Sequence, residues 1–182
     1  MAKKINDTRV ATNEGRLSYA HVTEKASIGG GPERYSTAFL FPKSDTETKK
    51  LLEEAIDAAI EAGIHTKFGG KKPDKKSLTL PIHDGDEKDD PNFAGMYYFN
   101  CNSQQKPQII GPDKHPITDP TEIYSGCYAQ ISVSVYPYNT AGNKGVGFGL
   151  GNIMKTRDGE PFGSHSSAAD DFGAAEDDEF LD

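Results

Sequence analysis

The chain has 182 residues, room for one domain with its own core plus terminal segments, and its 28 acids against 20 bases give a net charge of −8. That balance argues against a simple basic phosphate-coating protein, because phosphate contacts depend on Lys and Arg displacing condensed counterions. Met1–Arg9 (MAKKINDTR) has no apolar leader run, no stretch is apolar enough to span a membrane, and Cys101 and Cys127 show no CxxC or Cys/His spacing; a secreted, membrane-bound, disulfide-framed or zinc-binding protein is not expected.

Residues 1–13 read as a flexible polar lead-in and 14–162 as the folded domain. Leu17–Val22 alternates like a strand, and the break at Gly29–Pro32 leads to a second strand, Tyr35–Phe41, with Tyr35, Thr37, Phe39 and Phe41 on one face. A helix is predicted over 44–62: Ser44 caps it, Glu47 completes a capping box, and Leu52, Ile56, Ala59 and Ile60 recur at helical spacing until Gly63 stops it.

Lys67–Lys76 (KFGGKKPDKK) is a basic loop holding five lysines and one aspartate. A short strand over Leu78–Ile82, an acidic loop over Asp84–Asp90, and strands at Met96–Cys101 and Gln108–Ile110 are expected next. In Cys127–Val135 the residues Cys127, Ala129, Ile131, Val133 and Val135 share a core face, and Tyr128, Gln130, Ser132 and Ser134 share a wet one. A turn over Pro137–Gly145 precedes the strand Val146–Gly151, whose second face is glycine only and open to a backbone or ligand. Many modest strands and one helix predict a mainly β protein, a small partly open barrel with the helix packed at one end.

Nucleotide-binding motifs fail. Gly145–Gly151 does not spell G-x-G-x-x-G, because Leu150 or Asn152 occupies the last position, and Gly70-Lys71-Lys72 lacks the P-loop Ser or Thr. No cofactor is expected. Asp84, Asp86, Glu87 and Asp89 supply carboxylates for a Mg²⁺-dependent nuclease as an alternative reading, although Lys88 spoils a calcium loop and such charge runs are commonly solvated.

The stronger pattern is cationic and aromatic. Lys67, Lys71, Lys72, Lys75 and Lys76, with Arg34, Lys106 and Lys144, are candidates for tracking phosphates, and Tyr98, Tyr128 and Tyr136 for stacking on bases. From Asp170 onward there are seven acids and no base, so the rest of the chain holds 21 acids against 20 bases and is nearly neutral. Residues 163–169 are small and polar, a flexible linker to an acidic tail expected to be disordered. Within it Asp170, Asp171, Phe172, Asp177, Asp178, Glu179, Phe180 and Leu181 mix apolar side chains among acids, a composition suited to capture by a partner protein or to folding back over a basic groove.

Five segments in order carry a resemblance: YSTAFLFPK (35–43) with Ser44-Asp45, PIHDGDE (81–87), YSGCY (124–128), YPYNTAGNKG (136–145) and RDGEP (157–161). Together, over about Arg9 to Phe172, they resemble a family of bacteriophage single-stranded DNA-binding proteins. The resemblance implies an OB-fold protein without enzymatic activity, which coats strands exposed in phage DNA replication and recombination. It implies the cytoplasm of the infected bacterial host as its location and replication proteins as partners of the tail, and it leaves room for a homodimer. An adaptor that never touches DNA is the remaining alternative.

Overall fold

Strand alternation closes a barrel here, because the apolar faces of five strands have only one another and a single helix to cover them. A computed structural model describes residues 2–27 and 30–162. The elements are β1 (Lys3–Asn6), β2 (Arg9–Ala11), β3 (Gly15–Ser27), β4 (Glu33–Pro42), α1 (Thr46–Gly63), β5 (His83–Asp84), β6 (Met96–Ser103), β7 (Ile109–Ile110), β8 (Tyr128–Thr140) and β9 (Asn143–Arg157). Pairing runs in a circuit, β3 to β4 to β6 to β9 to β8 and back to β3. All of these pairs are antiparallel except β6–β9, which meet in parallel at Asn102 and Gly149 alone. This is the seam that leaves the barrel partly open, and the arrangement is the five-stranded OB-fold.

Inside the barrel lie Leu17, Val22, Phe39, Phe41, Phe99, Ile131, Val133, Phe148 and Leu150. Phe99 stacks tilted on Phe39 at 5.5 Å and edge-on to Phe148 at 4.7 Å. Leu52, Ala55, Ile56, Ala59 and Ile60 of α1 belong to the same core, so the helical stripe closes the barrel as its spacing predicts. All five core-face residues from Cys127 to Val135 are buried.

Several expectations need correction. The helix starts at Thr46, not at 44, and Asp45 is its N-cap, accepting the Thr48 N–H at 3.1 Å. A carboxylate at this position serves both the open N–H groups and the positive end of the helix dipole better than the Ser44 hydroxyl. Glu47 forms no capping box; it accepts from the Asn13 side-chain amide at 3.1 Å and from the Ala2 N–H at 3.3 Å. The lead-in of 1–13 contains β1 and β2, and β2 lies along β8 with Arg9 opposite Ser134 and Val10 buried against the core. Three residues are too few for alternation to register, and the edge of β8 supplies the missing information.

The strand expected at 78–82 is an isolated bridge between Thr79 and Gly145. The turn expected over 137–145 is a continuation of β8, which pairs with β9 from Pro137–Val146 through to Thr140–Asn143. The chain reverses at Ala141 and Gly142, with φ of 51° and 88°, the two left-handed residues that suit the twist of a tight hairpin. The linker and tail, 163–182, lie outside the described residues.

Candidate nucleic-acid interface

The alternation that buries Phe39 and Phe41 turns Arg34, Ser36, Ala38 and Leu40 to the outside of β4. On β6 it buries Phe99 and Cys101 and turns Tyr98, Asn100 and Asn102 outward. The register sets Ser36 beside Asn102, Ala38 beside Asn100 and Leu40 beside Tyr98. Ser36, Ala38, Asn100 and Asn102 floor a groove of about 730 Å³, walled by Tyr19, His21, Ala26 and Ser27 of β3, by Gly31 and Pro32, and by Arg34. No Asp or Glu lines it among the described residues, although the chain carries a charge of −8. The Ser36 hydroxyl is buried without a hydrogen-bond partner among the described residues, an unused polar group at the floor. Cys101 also borders the groove, but burial pushes its thiol up to about 12, so it packs there rather than reacts.

Cations and rings gather along this face. At one end Leu40 and Ala38 are covered by Phe93, Met96, Tyr98 and Phe162. The Lys88 ammonium lies among three rings there, 5.1 Å from Phe93, 5.7 Å from Tyr98 and 6.0 Å from Tyr19. Lys25 sits 5.7 Å from the ring of Tyr35, but that ring packs against the barrel core and does not line the groove. Register extends the outer face from Asn102 to Gly149, then Ser134, then Arg9, a polar row that crosses the seam.

The candidate residues scatter more widely than this groove. Arg34 is in it, and Tyr98 forms part of its covered end, edge-on to Phe93 at 5.0 Å and beside His83 at 5.1 Å. Tyr128 is half-buried with guanidinium groups packed on its ring, Arg16 at 4.8 Å and Arg157 at 3.7 Å. Arg157 is itself held by Glu14 at 3.1 Å, and this bond holds the Glu14 carboxyl below its ordinary value. Tyr136 is 43% exposed and lies over Gly147, where a Cβ would come within 2.7 Å of its hydroxyl. Tyr138 covers Gly145 in the same way, and Ser132 and Arg9 crowd Gly151, so side chains fill most of the glycine face that reads as open to a ligand, and Gly149 alone remains clear, with its nearest neighbour 3.7 Å from a would-be Cβ.

The lysines of the basic loop are all exposed, yet two are already paired: Lys72 with Glu61 at 2.8 Å and Lys75 with Asp57 at 2.5 Å, both partners on α1. Lys67, Lys71 and Lys76 form no ion pair among the described residues. The Asn139 side-chain amide donates to the Lys67 carbonyl at 3.0 Å, which fastens the loop to the β8–β9 hairpin that also carries Lys144. Lys106 borders a separate cleft with Glu24 and Asp119 and takes no part in the groove.

The acidic loop answers the nuclease alternative. Lys43 lies between Asp84 at 2.6 Å and Asp86 at 2.7 Å, where a cation would have to sit, and its hydrogen bonds hold both carboxyls below their ordinary value. Among the described residues no three His, Cys, Asp or Glu side chains are grouped to hold a metal. Residues that sequence reasoning missed are Tyr19, His21, Lys88, Asn100 and Asn102. The alternating polar positions 98, 100 and 102 were the available signal; nothing in the pattern marked Tyr19.

Comparison with known proteins agrees with this geometry. Residues 8–181 match the family model described as Enterobacter phage Enc34, ssDNA-binding protein. Protein p50 of Acyrthosiphon pisum secondary endosymbiont phage 1 is 32% identical over 186 residues, covering 95% of this chain and 98% of that protein. The single-stranded DNA-binding protein from bacteriophage Enc34, solved in complex with ssDNA, superposes with a TM-score of 0.73 at 25% identity, over 88% of this chain and 96% of that one. The gp2.5 protein of bacteriophage T7, a single-stranded DNA-binding protein, has a TM-score of 0.64 at 16% identity over 91% of this chain and 94% of its own, a likeness of fold alone. Matched across nearly its whole length by one family model, the chain belongs to the family of the Enterobacter phage Enc34 ssDNA-binding protein, whose members are DNA-binding proteins and not enzymes.

Proposed function

We propose that this chain coats single-stranded DNA without sequence preference during phage DNA replication and recombination, in the cytoplasm of the infected bacterium. The observation that carries the reading is the groove on the outer faces of β4 and β6, which has no carboxylate among its described lining residues in an acidic chain and is bordered by Arg34, His21 and the exposed ring of Tyr19, with the Lys88 ammonium 6.0 Å from that ring. These are the second and third strands of the barrel circuit, the face on which OB-folds bind oligonucleotides. The complex of the Enc34 protein with ssDNA supports the same reading. Arg34 and Lys88 neutralise phosphates in the groove, and Lys67, Lys71, Lys76 and Lys144 extend the cationic track beside the hairpin, where Tyr136 offers a ring. The acidic tail recruits replication proteins through Phe172, Phe180 and Leu181 and competes with DNA for the cationic face.

Fluorescence anisotropy with labelled oligothymidine tests the binding. Saturable, salt-sensitive binding with the strand left intact in Mg²⁺ is expected; cleavage abolished by a chelator would revive the nuclease reading, and absence of binding would leave the adaptor. Deleting 170–182 removes seven negative charges, and binding at low salt should tighten. Unchanged or weaker binding would refute competition, and a pull-down with the tail peptide judges recruitment separately.

A further inference from the structure

We propose that Tyr19 is a base-stacking residue of the groove, presented to DNA by a strained bulge in β3; the proposal rests on the single-strand reading above. Tyr19 has φ of 49°, the left-handed region that bulky residues avoid, and it is 58% exposed, the most of any large hydrophobic side chain among the described residues. Burial of the ring therefore does not repay the strain.

The register shows how the conformation arises. Ser18 pairs with Ala38 and His21 with Ser36, three steps along β3 against two along β4, so β3 carries one extra residue at Tyr19-Ala20. In a regular strand Tyr19 would share the inward side of Leu17. The extra residue turns its ring out to the rim of the groove and lets Ala20 and Val22 return to the core.

The bulge is held on both sides. The buried Thr37 hydroxyl lies 3.2 Å from the Ser18 carbonyl, sharing its proton with the Ala38 carbonyl at 2.9 Å, and the Ala20 N–H donates to the Ser125 hydroxyl at 3.0 Å. Strain that persists because its surroundings over-determine it is a mark of functional sites. Here it yields a ring already outside the core, beside the Lys88 ammonium at 6.0 Å and above a floor with no acid among the described residues, so base and phosphate meet complementary groups with little reordering of the protein.

The test compares Tyr19→Phe, Tyr19→Leu and Tyr19→Gly with the wild type for oligothymidine affinity, melting temperature and quenching of intrinsic fluorescence. The chain has no Trp and 8 Tyr, so emission reports tyrosine environments. Tyr19→Phe should bind within about threefold of wild type but lose part of the DNA-induced quench, while Tyr19→Leu and Tyr19→Gly should bind roughly tenfold or more weakly. Tyr19→Gly should melt no lower than wild type, because glycine relieves the left-handed backbone. Wild-type affinity in the Leu and Gly variants, an unaltered quench in Tyr19→Phe, or a clear fall in the melting temperature of Tyr19→Gly would each overturn the proposal, the last by making Tyr19 a structural contact. If the wild type itself binds no oligothymidine, the single-strand reading fails and the role of Tyr19 falls with it.

Discussion

The pairing of Lys72 with Glu61 and Lys75 with Asp57 divides the basic loop into two groups of lysines with different expected effects on DNA binding. Each phosphate neutralised on a single strand contributes about 0.7 to the slope of log affinity against log salt. Replacing Lys67, Lys71 and Lys76 with Gln should therefore lower the slope by about 2 if all three meet phosphates. Between about 50 and 200 mM salt, the wild type would then lose about 20-fold more affinity than the triple variant. Lys72→Gln with Lys75→Gln should change the slope by clearly less than the 1.4 or so of two unencumbered contacts, since a phosphate must first displace the carboxylate of Glu61 or Asp57. Anisotropy titrations at four or more salt concentrations measure both slopes. Equal slope changes per lysine in the two variants would refute the division, and no change in either would remove the loop from the DNA path.

Two further predictions concern stability. Lys43→Met leaves Asp84 and Asp86 facing each other without their shared cation; both carboxyls are held below their ordinary value of 3.8 by Lys43, so the stability they contribute is present above that pH and lost as pH falls through their lowered values. The melting temperature of the variant should lie below wild type at neutral pH and converge with it in acid; a difference independent of pH would contradict the assignment. Gly63→Ala places a Cβ 2.7 Å from Pro137 and 2.9 Å from Phe68. Overpacking of roughly 1–3 kcal/mol outweighs the roughly 1 kcal/mol that alanine gains as a helix former, so thermal melting should show a loss of up to about 2 kcal/mol.

Periodicity reveals the parts of this fold that depend on one strand at a time. Cys127 to Val135 alternates cleanly, and the helical stripe from Leu52 to Ile60 needs no partner to be recognised. The groove is different, because it exists through the register of β4 on β6 and through one extra residue in β3. Before the bulge is known, Tyr19 shares a phase with Leu17 and reads as core. The surroundings of Tyr128 were illegible for a related reason: it lies on the predicted wet face, yet Arg16 and Arg157, distant in sequence, pack on its ring. Charge counting fared better at the level of regions than of residues, since ion pairs such as Lys72–Glu61 form only when the loop folds back on α1.

Arg16 bears on the proposed competition of the tail with DNA. Arg16 donates to the Glu160 carbonyl at 2.7 Å and to the Gly126 carbonyl at 2.9 Å, and its guanidinium lies 4.2 Å from the Phe162 ring. Phe162 in turn packs on Ala38 and Leu40, and Ala38 lines the groove. The last described residue is thus fastened beside the candidate interface, and the seven acids from Asp170 onward follow it within twenty residues of sequence. Fastening the root raises the effective concentration of the acids at the groove without any specific contact. Arg16→Ala should accordingly tighten oligothymidine binding by the full chain at low salt and leave binding by the chain truncated after residue 169 nearly unchanged. Melting curves of both backgrounds control for damage to the barrel. An equal effect of Arg16→Ala in the two backgrounds would mean that Arg16 acts on DNA or on the fold directly, and that the clamp on residues 160–162 has no part in competition.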